Sequence, residues 1–289
     1  MARIVVCDSE YDLELVRAIL PAAEAASLAE SGAGVAALLT GPATPVGAGD
    51  LERLPDLRVI ATASTGTDHL PVEAMRERRI ELRTAGDYCS QEVSDHALAL
   101  LLALRRGLIA GDRAVQAGRW DATDTGMPDR ISGMRLGIVG YGHIGRRLGE
   151  RAQALEMDVR FHDPVVDGGE PDLDALVGWA EAVSLHAPLT ADTRGMLDAR
   201  RLGLMAPGTL LVNTARAALV DRAAMIAATH LRAAFDHVWE QPPGGDLLGL
   251  PHLVLTPYVA WLSPHSVDEP YRRAAAGVAE VLAGDGLVS

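Results

Sequence analysis

Gly140, Gly142 and Gly145 stand in the spacing G-x-G-x-x-G, directly after the apolar run Leu136 to Val139 and before a helical pattern that opens near His143. Taken alone the triplet is a weak signal, but its place between a strand and a helix makes it specific for a dinucleotide. The first glycine permits a tight turn and the second lets the backbone approach a pyrophosphate. The third allows close helix–strand packing, and the amides of His143 and Ile144 lie at the positive end of the helix. About twenty residues on, the next apolar run ends in Phe161-His162-Asp163-Pro164. Asp163 is placed to accept hydrogen bonds from a ribose 2′- and 3′-hydroxyl and would repel a 2′-phosphate, so the cofactor this pattern predicts is NAD.

Composition narrows the chemistry further. All 26 basic residues are arginine, so no Schiff-base lysine, P-loop lysine or tyrosine–lysine relay can operate within the chain. The net charge of −13 offers no footprint for a nucleic-acid backbone or an anionic membrane. Cys7 and Cys89 form no metal-ligand spacing and suit a reducing cytoplasm. The start, Met1-Ala2-Arg3-Ile4-Val5-Val6, reads as a strand and not as a signal peptide, and the longest apolar run, Ala97 to Leu104, is too short to span a bilayer.

These residues need a scaffold, and the pattern is α/β throughout. Strands are predicted at Ile4 to Cys7, Val35 to Leu39 and Arg58 to Thr62, with helices at Leu13 to Leu20 and Val72 to Arg79. A helix from Val93 to Leu104 is apolar nearly all round and should be buried between layers or between subunits. Residues 105 to 133 read as a connector wrapping the surface. A doubly wound parallel sheet of about six strands then starts at Arg135 to Val139 and continues through 159–162, 182–186, 209–213, 232–236 and 253–256. The last helix, near Pro270 to Ala283, is expected to end on a left-handed cap at Gly284.

From about residue 55 to 265 the chain resembles the D-isomer-specific 2-hydroxyacid dehydrogenases and the related C-terminal-binding-protein corepressors. The blocks that carry this resemblance occur in the family's order. They are Ser64-Thr65-Gly66-Thr67-Asp68-His69, Asp87 to Ala97, the glycine loop, Leu185-His186-Ala187-Pro188-Leu189-Thr190, Leu211-Val212-Asn213-Thr214-Ala215-Arg216, and Leu255-Thr256-Pro257-Tyr258-Val259-Ala260-Trp261. The resemblance implies two Rossmann-like domains with doubly wound parallel sheets. Residues 1–92 and 266–289 would form the substrate domain, with the NAD domain, 93–265, inserted in it. A homodimer is implied as well, with the helix from Val93 to Leu104 a fitting interface element.

The same resemblance implies site residues. His186, Pro188, Thr214, Ala215 and Asp236 join the glycine loop and Asp163 around NAD. Ser64, Thr65 and Gly66 would hold a small substrate anion, carboxylate or phosphonate, through backbone amides. Arg216 matches the arginine that grips the carboxylate and polarises the adjacent carbonyl. The next family residue, usually glycine, is Ala217 here, whose methyl could crowd the site. The family's acid/base histidine is replaced by Tyr258. Its glutamate partner is replaced by Gln241, with Glu240 one residue earlier. A phenol, with a pKa near 10, is a poorer acid than an imidazole at neutral pH. His69, His237 and His265 are the candidates for a relocated histidine, whereas His96 and His186 read as structural. The leading expectation is an NAD-dependent oxidoreductase moving a hydride between nicotinamide and a small 2-hydroxy or 2-oxo acid. The alternatives are a catalytically impaired NAD-binding scaffold, or a biosynthetic enzyme with altered chemistry on an anionic intermediate.

Overall fold

A computed structural model describes residues 3–284. The chain divides into two units, Met1–Tyr88 with Ser263–Ser289, and Cys89–Leu262. The divisions fall three or four residues ahead of the expected 92/93 and 265/266. The helix Ser90–Arg105 starts earlier than the expected Val93, and it belongs whole to the second unit.

In the first unit, strands β1 (Arg3–Val6), β2 (Ala23–Ala25), β3 (Val35–Thr40), β4 (Val59–Thr62) and β5 (Glu81–Thr84) form a parallel sheet in the order β2-β1-β3-β4-β5. Central β3 and β4 are buried at every residue, which is why they read as continuous apolar runs. Sequence reading missed β2 and β5. Both are edge strands, and Ala-Glu-Ala and Glu-Leu-Arg-Thr lack the apolar run that a central strand requires. The helix Glu269–Gly284 closes one face, burying Ala274, Ala275, Val278 and Leu282 with Ile4, Val6, Leu39 and Val59. Gly277 lets it approach β5, since an added Cβ would come within 2.9 Å of the Arg83 side chain. Gly284 is still helical and its φ lies outside the left-handed region, so it is not the expected cap.

The second unit holds β6 (Arg135–Val139), β7 (Asp158–His162), β8 (Ala182–Leu185), β9 (Leu210–Asn213), β10 (Arg232–Phe235) and β11 (Leu253–Leu255), all parallel, in the order β11-β10-β9-β8-β6-β7. Strand order reverses beside β6, because the chain steps outward to β7 and then back across to β8. That makes the carboxyl ends of β6 and β8 the topological switch point, where open α/β sheets bind ligands. One face is packed by Leu100, Leu101 and Leu104 of the helix Ser90–Arg105 and by Leu148 and Ala152 of the helix His143–Ala154. The helix Ser90–Arg105 spends its apolar residues on this core and leaves Gln91, Asp95 and Ala99 exposed, so it is one-sided and not apolar all round. The expected connector contains the helix Leu108–Gln116 and a short 3-10 turn, Ala122–Thr125. Gly107 joins the two helices at φ 63°, where a Cβ would come within 2.7 Å of the Thr125 carbonyl.

Candidate active site and cofactor cradle

The glycine loop leaves β6 at the switch point. Gly140 has φ 88°, and a Cβ on it would lie 2.5 Å from the Ala187 amide nitrogen, so only glycine lets this turn press against the segment after β8. A Cβ on Gly145 would collide with the Gly140 carbonyl oxygen, which keeps the first helical turn tight against the loop. Gly142 differs from both. Its φ of −76° suits any residue, and a Cβ there would meet no protein atom within 4 Å. The space it leaves open is space for a ligand.

Gly142 is also the N-cap of the helix His143–Ala154 and offers no side-chain cap, so the first-turn amides are available to an anion. Gly145, Leu148, Gly149 and Ala152 line the buried face, which turns His143 outward and leaves Ile144 half-buried. Asp163 lies just past β7. Its Oδ2 accepts from the Tyr141 amide at 2.7 Å and its Oδ1 from the Val165 amide at 2.9 Å. Burial acts to raise its pKa, but the amides of Tyr141, Val165 and Val166 outweigh that and hold it below the usual carboxylate range. Tyr141 is itself fixed by stacking on Phe161, with ring centroids 3.9 Å apart, and by the Arg146 guanidinium, 5.2 Å from its ring centroid.

Across the switch point, His186 follows β8 and contacts Ser184 Oγ through Nε2 at 2.8 Å; Pro188 beyond it is exposed. Thr214 follows β9, and its buried Oγ1 has no hydrogen-bond partner among the described residues. An open position at Gly142, uncapped amides, an ionised Asp163 and an orphan hydroxyl fit a pyrophosphate with its attached ribose.

Arg216, Asp236 and Tyr258 leave the carboxyl ends of three adjacent strands, β9, β10 and β11, whose register pairs Phe235 with both Asn213 and Leu255. Asn213 builds the first turn: its side chain accepts from the Ala215 amide at 3.0 Å and donates to the Arg216 carbonyl at 2.9 Å. Arg216 is thereby set half-buried at the mouth of the strand, ahead of the 3-10 turn Ala217–Leu219. The Ala217 methyl packs into the core with Leu197 and Leu219, so it does not crowd the site as expected.

Asp236 was expected among the cofactor contacts, but its carboxylate is committed within the chain. Oδ1 accepts from Thr256 Oγ1 at 2.5 Å and from the Val259 amide at 3.0 Å; Oδ2 accepts from the Ala260 amide at 2.8 Å. His96 braces the same knot, with Nε2 3.2 Å from Thr256 Oγ1 and 3.6 Å from Asp236 Oδ1. Tyr258 sits in the middle of this clamped loop at φ 57°, its amide donating to the carbonyls of Asp236 and Thr256 at 2.9 and 3.0 Å. A left-handed tyrosine is uncommon and persists only where its surroundings hold it.

The expected partners of Tyr258 are both exposed. Glu240 is exposed, pairs with Arg222 at 3.2 Å and accepts from the Gly244 amide at 3.1 Å, within a surface cluster that includes Asp246. Gln241 is exposed, before Pro242. The ring beside Tyr258 is His237, centroids 5.2 Å apart and planes at 86°.

In the first unit, the loop after β4 is tied by its own side chains. Ser64 Oγ donates to the Gly66 carbonyl at 2.7 Å, Thr65 Oγ1 donates to the Gly86 carbonyl at 2.5 Å, and His69 contacts Thr62 Oγ1 at 2.9 Å. His69 is thereby tied to β4, and His265 is exposed.

A doubly wound sheet with a pyrophosphate cradle at its switch point and charged groups at the neighbouring strand ends defines an NAD-dependent oxidoreductase of the two-unit Rossmann type. The profile of the D-isomer specific 2-hydroxyacid dehydrogenase NAD binding domain matches residues 98–260. The chain is 37% identical over 238 residues to the glycerate dehydrogenase of Methylorubrum extorquens, covering 78% of this chain and 76% of that one. It is 36% identical over 275 residues to the (S)-sulfolactate dehydrogenase of Chromohalobacter salexigens, covering 90% and 87%. The crystal structure of the TT0316 protein from Thermus thermophilus superposes with a TM-score of 0.85 at 30% identity, covering 98% of this chain and 97% of the other. The chain belongs to the D-isomer-specific 2-hydroxyacid dehydrogenase family, and its cofactor is NAD.

Proposed function

We propose that this enzyme interconverts a small anionic 2-hydroxy acid and its 2-oxo acid, with Tyr258 in the proton-transfer role usually taken by a histidine. The observation that carries the reading is that Arg216 and Tyr258 leave the carboxyl ends of β9 and β11, on either side of β10, with Tyr258 held in a left-handed turn by the Asp236 knot. Gly142, His143 and Ile144 would give amides to the cofactor's pyrophosphate, Asp163 would take the ribose hydroxyls, and Gly140 and Gly145 would shape the cradle. His186, Pro188, Thr214 and Ala215 would line its nicotinamide side. The bound cofactor supplies or accepts the hydride at C2.

Arg216 would form two parallel hydrogen bonds to the substrate carboxylate and draw charge from the 2-oxo group. Ser64, Thr65 and Gly66 are proposed to bind substrate anion through backbone amides. Tyr258 would donate its phenolic proton to O2 as the hydride reaches C2, and solvent would return it. Relatives that act on glycerate and sulfolactate suggest a substrate with a second polar or anionic group at C3. NADH oxidation with a panel of hydroxypyruvate, glyoxylate and sulfopyruvate tests this. Turnover should fall by 10²- to 10⁴-fold in Tyr258→Phe, the usual worth of a positioned acid, with NADH affinity retained; unchanged turnover would remove Tyr258 from the chemistry.

The active form is proposed to be a cytoplasmic homodimer. Leu108, Val115, Trp120 and Met127, all within residues 108–127, present exposed apolar surface that the helix Ser90–Arg105 does not. No helix among the described residues is long and apolar enough to cross a membrane.

A further inference from the structure

We infer that His237 is a positioning residue that poises Tyr258 for proton donation; the inference rests on the reading of Tyr258 as the proton donor. The pair arises from the sheet. β10 and β11 are neighbours in register, Phe235 beside Leu255, and the chain leaves both strands at the same depth. The Tyr258 amide donates to the Asp236 carbonyl at 2.9 Å, which fixes the tyrosine against the residue that follows Asp236. That residue is His237, half-buried like Tyr258, and its ring meets the phenol at 5.2 Å and 86°.

A phenol that gives up its proton near neutral pH leaves a phenolate, and an opposite charge within about 4–6 Å stabilises it. Histidine is the side chain whose own titration falls in that pH range. As the Tyr258 proton passes to O2, negative charge would grow on the phenol, whose ring centroid lies 5.2 Å from that of the imidazole. His237 keeps its proton throughout, and solvent reprotonates the phenolate.

The other charged and titratable groups near the pair have partners of their own. Asp236 is bound by Thr256, Val259 and Ala260, and His96 lies 3.6 Å from its Oδ1. Glu240 is drawn to Arg222. Arg216, at the end of β9, is charged at every working pH. His237 is the titratable ring that meets the Tyr258 ring directly, whereas His96 acts on the Asp236 knot.

The test is single-turnover reduction of hydroxypyruvate, glyoxylate or sulfopyruvate by NADH from pH 5.5 to 9, in the parent enzyme, His237→Phe and His237→Gln. Phe keeps a ring against Tyr258 but cannot carry charge. In the parent the rate should fall about tenfold as pH rises across this range. In both variants the rate at pH 6 should be about tenfold lower and the profile flat, with NADH affinity and the melting temperature preserved in at least one. Replacing Tyr258 by a difluorotyrosine of lower pKa should restore most of the loss in His237→Phe. A parent-like pH profile in either folded variant would overturn the role of His237 while leaving Tyr258 in place. A Tyr258→Phe enzyme with full turnover, or no turnover of any of the three acids, would remove both.

Discussion

At neutral pH His186 is uncharged, because burial holds its imidazole down to about 4 while Ser184 Oγ occupies Nε2. The unfolded chain binds that proton near pH 6.5, so between about 6.5 and 4 the unfolded state carries more protons than the folded one. Stability is therefore lost as pH falls through this window, by up to about 3 kcal/mol in total. Replacing His186 by glutamine, which keeps a polar group for Ser184, should make the melting temperature fall less between pH 7 and pH 4.5 than in the parent. Differential scanning fluorimetry checks this, and an identical pH slope would exclude His186 as the group responsible. Residue identities such as Arg216 and Tyr258 were readable from their blocks of sequence. The surroundings of Tyr258 were not, because the hydrogen bonds that Asp236 accepts from residues 256, 259 and 260 join segments twenty or more positions apart. The family resemblance implied Glu240 or Gln241 as the partner of the phenol, whereas Glu240 takes part in a surface ion pair and the ring beside Tyr258 is His237.

The elements divide in the same manner. The strand–glycine loop–helix unit was legible down to its boundaries, since all of its information is local: β6 ends at Val139 and the helix opens at His143. Its three glycines serve different ends, and substitution should separate them. Gly142→Ala puts a methyl into open space, so the melting temperature should hold while NADH affinity drops about tenfold or more. Gly145→Ala drives a methyl into the Gly140 carbonyl and should cost about 1–3 kcal/mol of stability, as overpacking does. Thermal melts with a parallel NADH titration distinguish them; equal loss of stability in both would contradict a ligand-facing Gly142. β2 and β5 escaped notice because an edge strand needs only one partner and half a buried surface, which leaves little trace in composition.

Across the whole molecule, exposed apolar side chains are most concentrated within residues 108–127, where Trp120 is 90% and Met127 95% exposed, while Val165, Leu248 and Leu262 stand singly elsewhere. Introducing Trp120→Glu together with Met127→Glu should shift the sedimentation coefficient from that of a dimer to that of a monomer without lowering the melting temperature of the isolated fold by more than a few degrees. A parent that already sediments as a monomer would refute the proposed assembly. Sequence by itself determined the family, the parallel α/β class and the cofactor, because the family's blocks and the strand–glycine loop–helix unit are contiguous stretches readable without the fold. Only the tertiary structure decided which side chains accompany Tyr258, that Asp236 ties the loop together, and which surface remains apolar. Those outcomes depend on which strand lies beside which, and strand order is a property of the folded sheet.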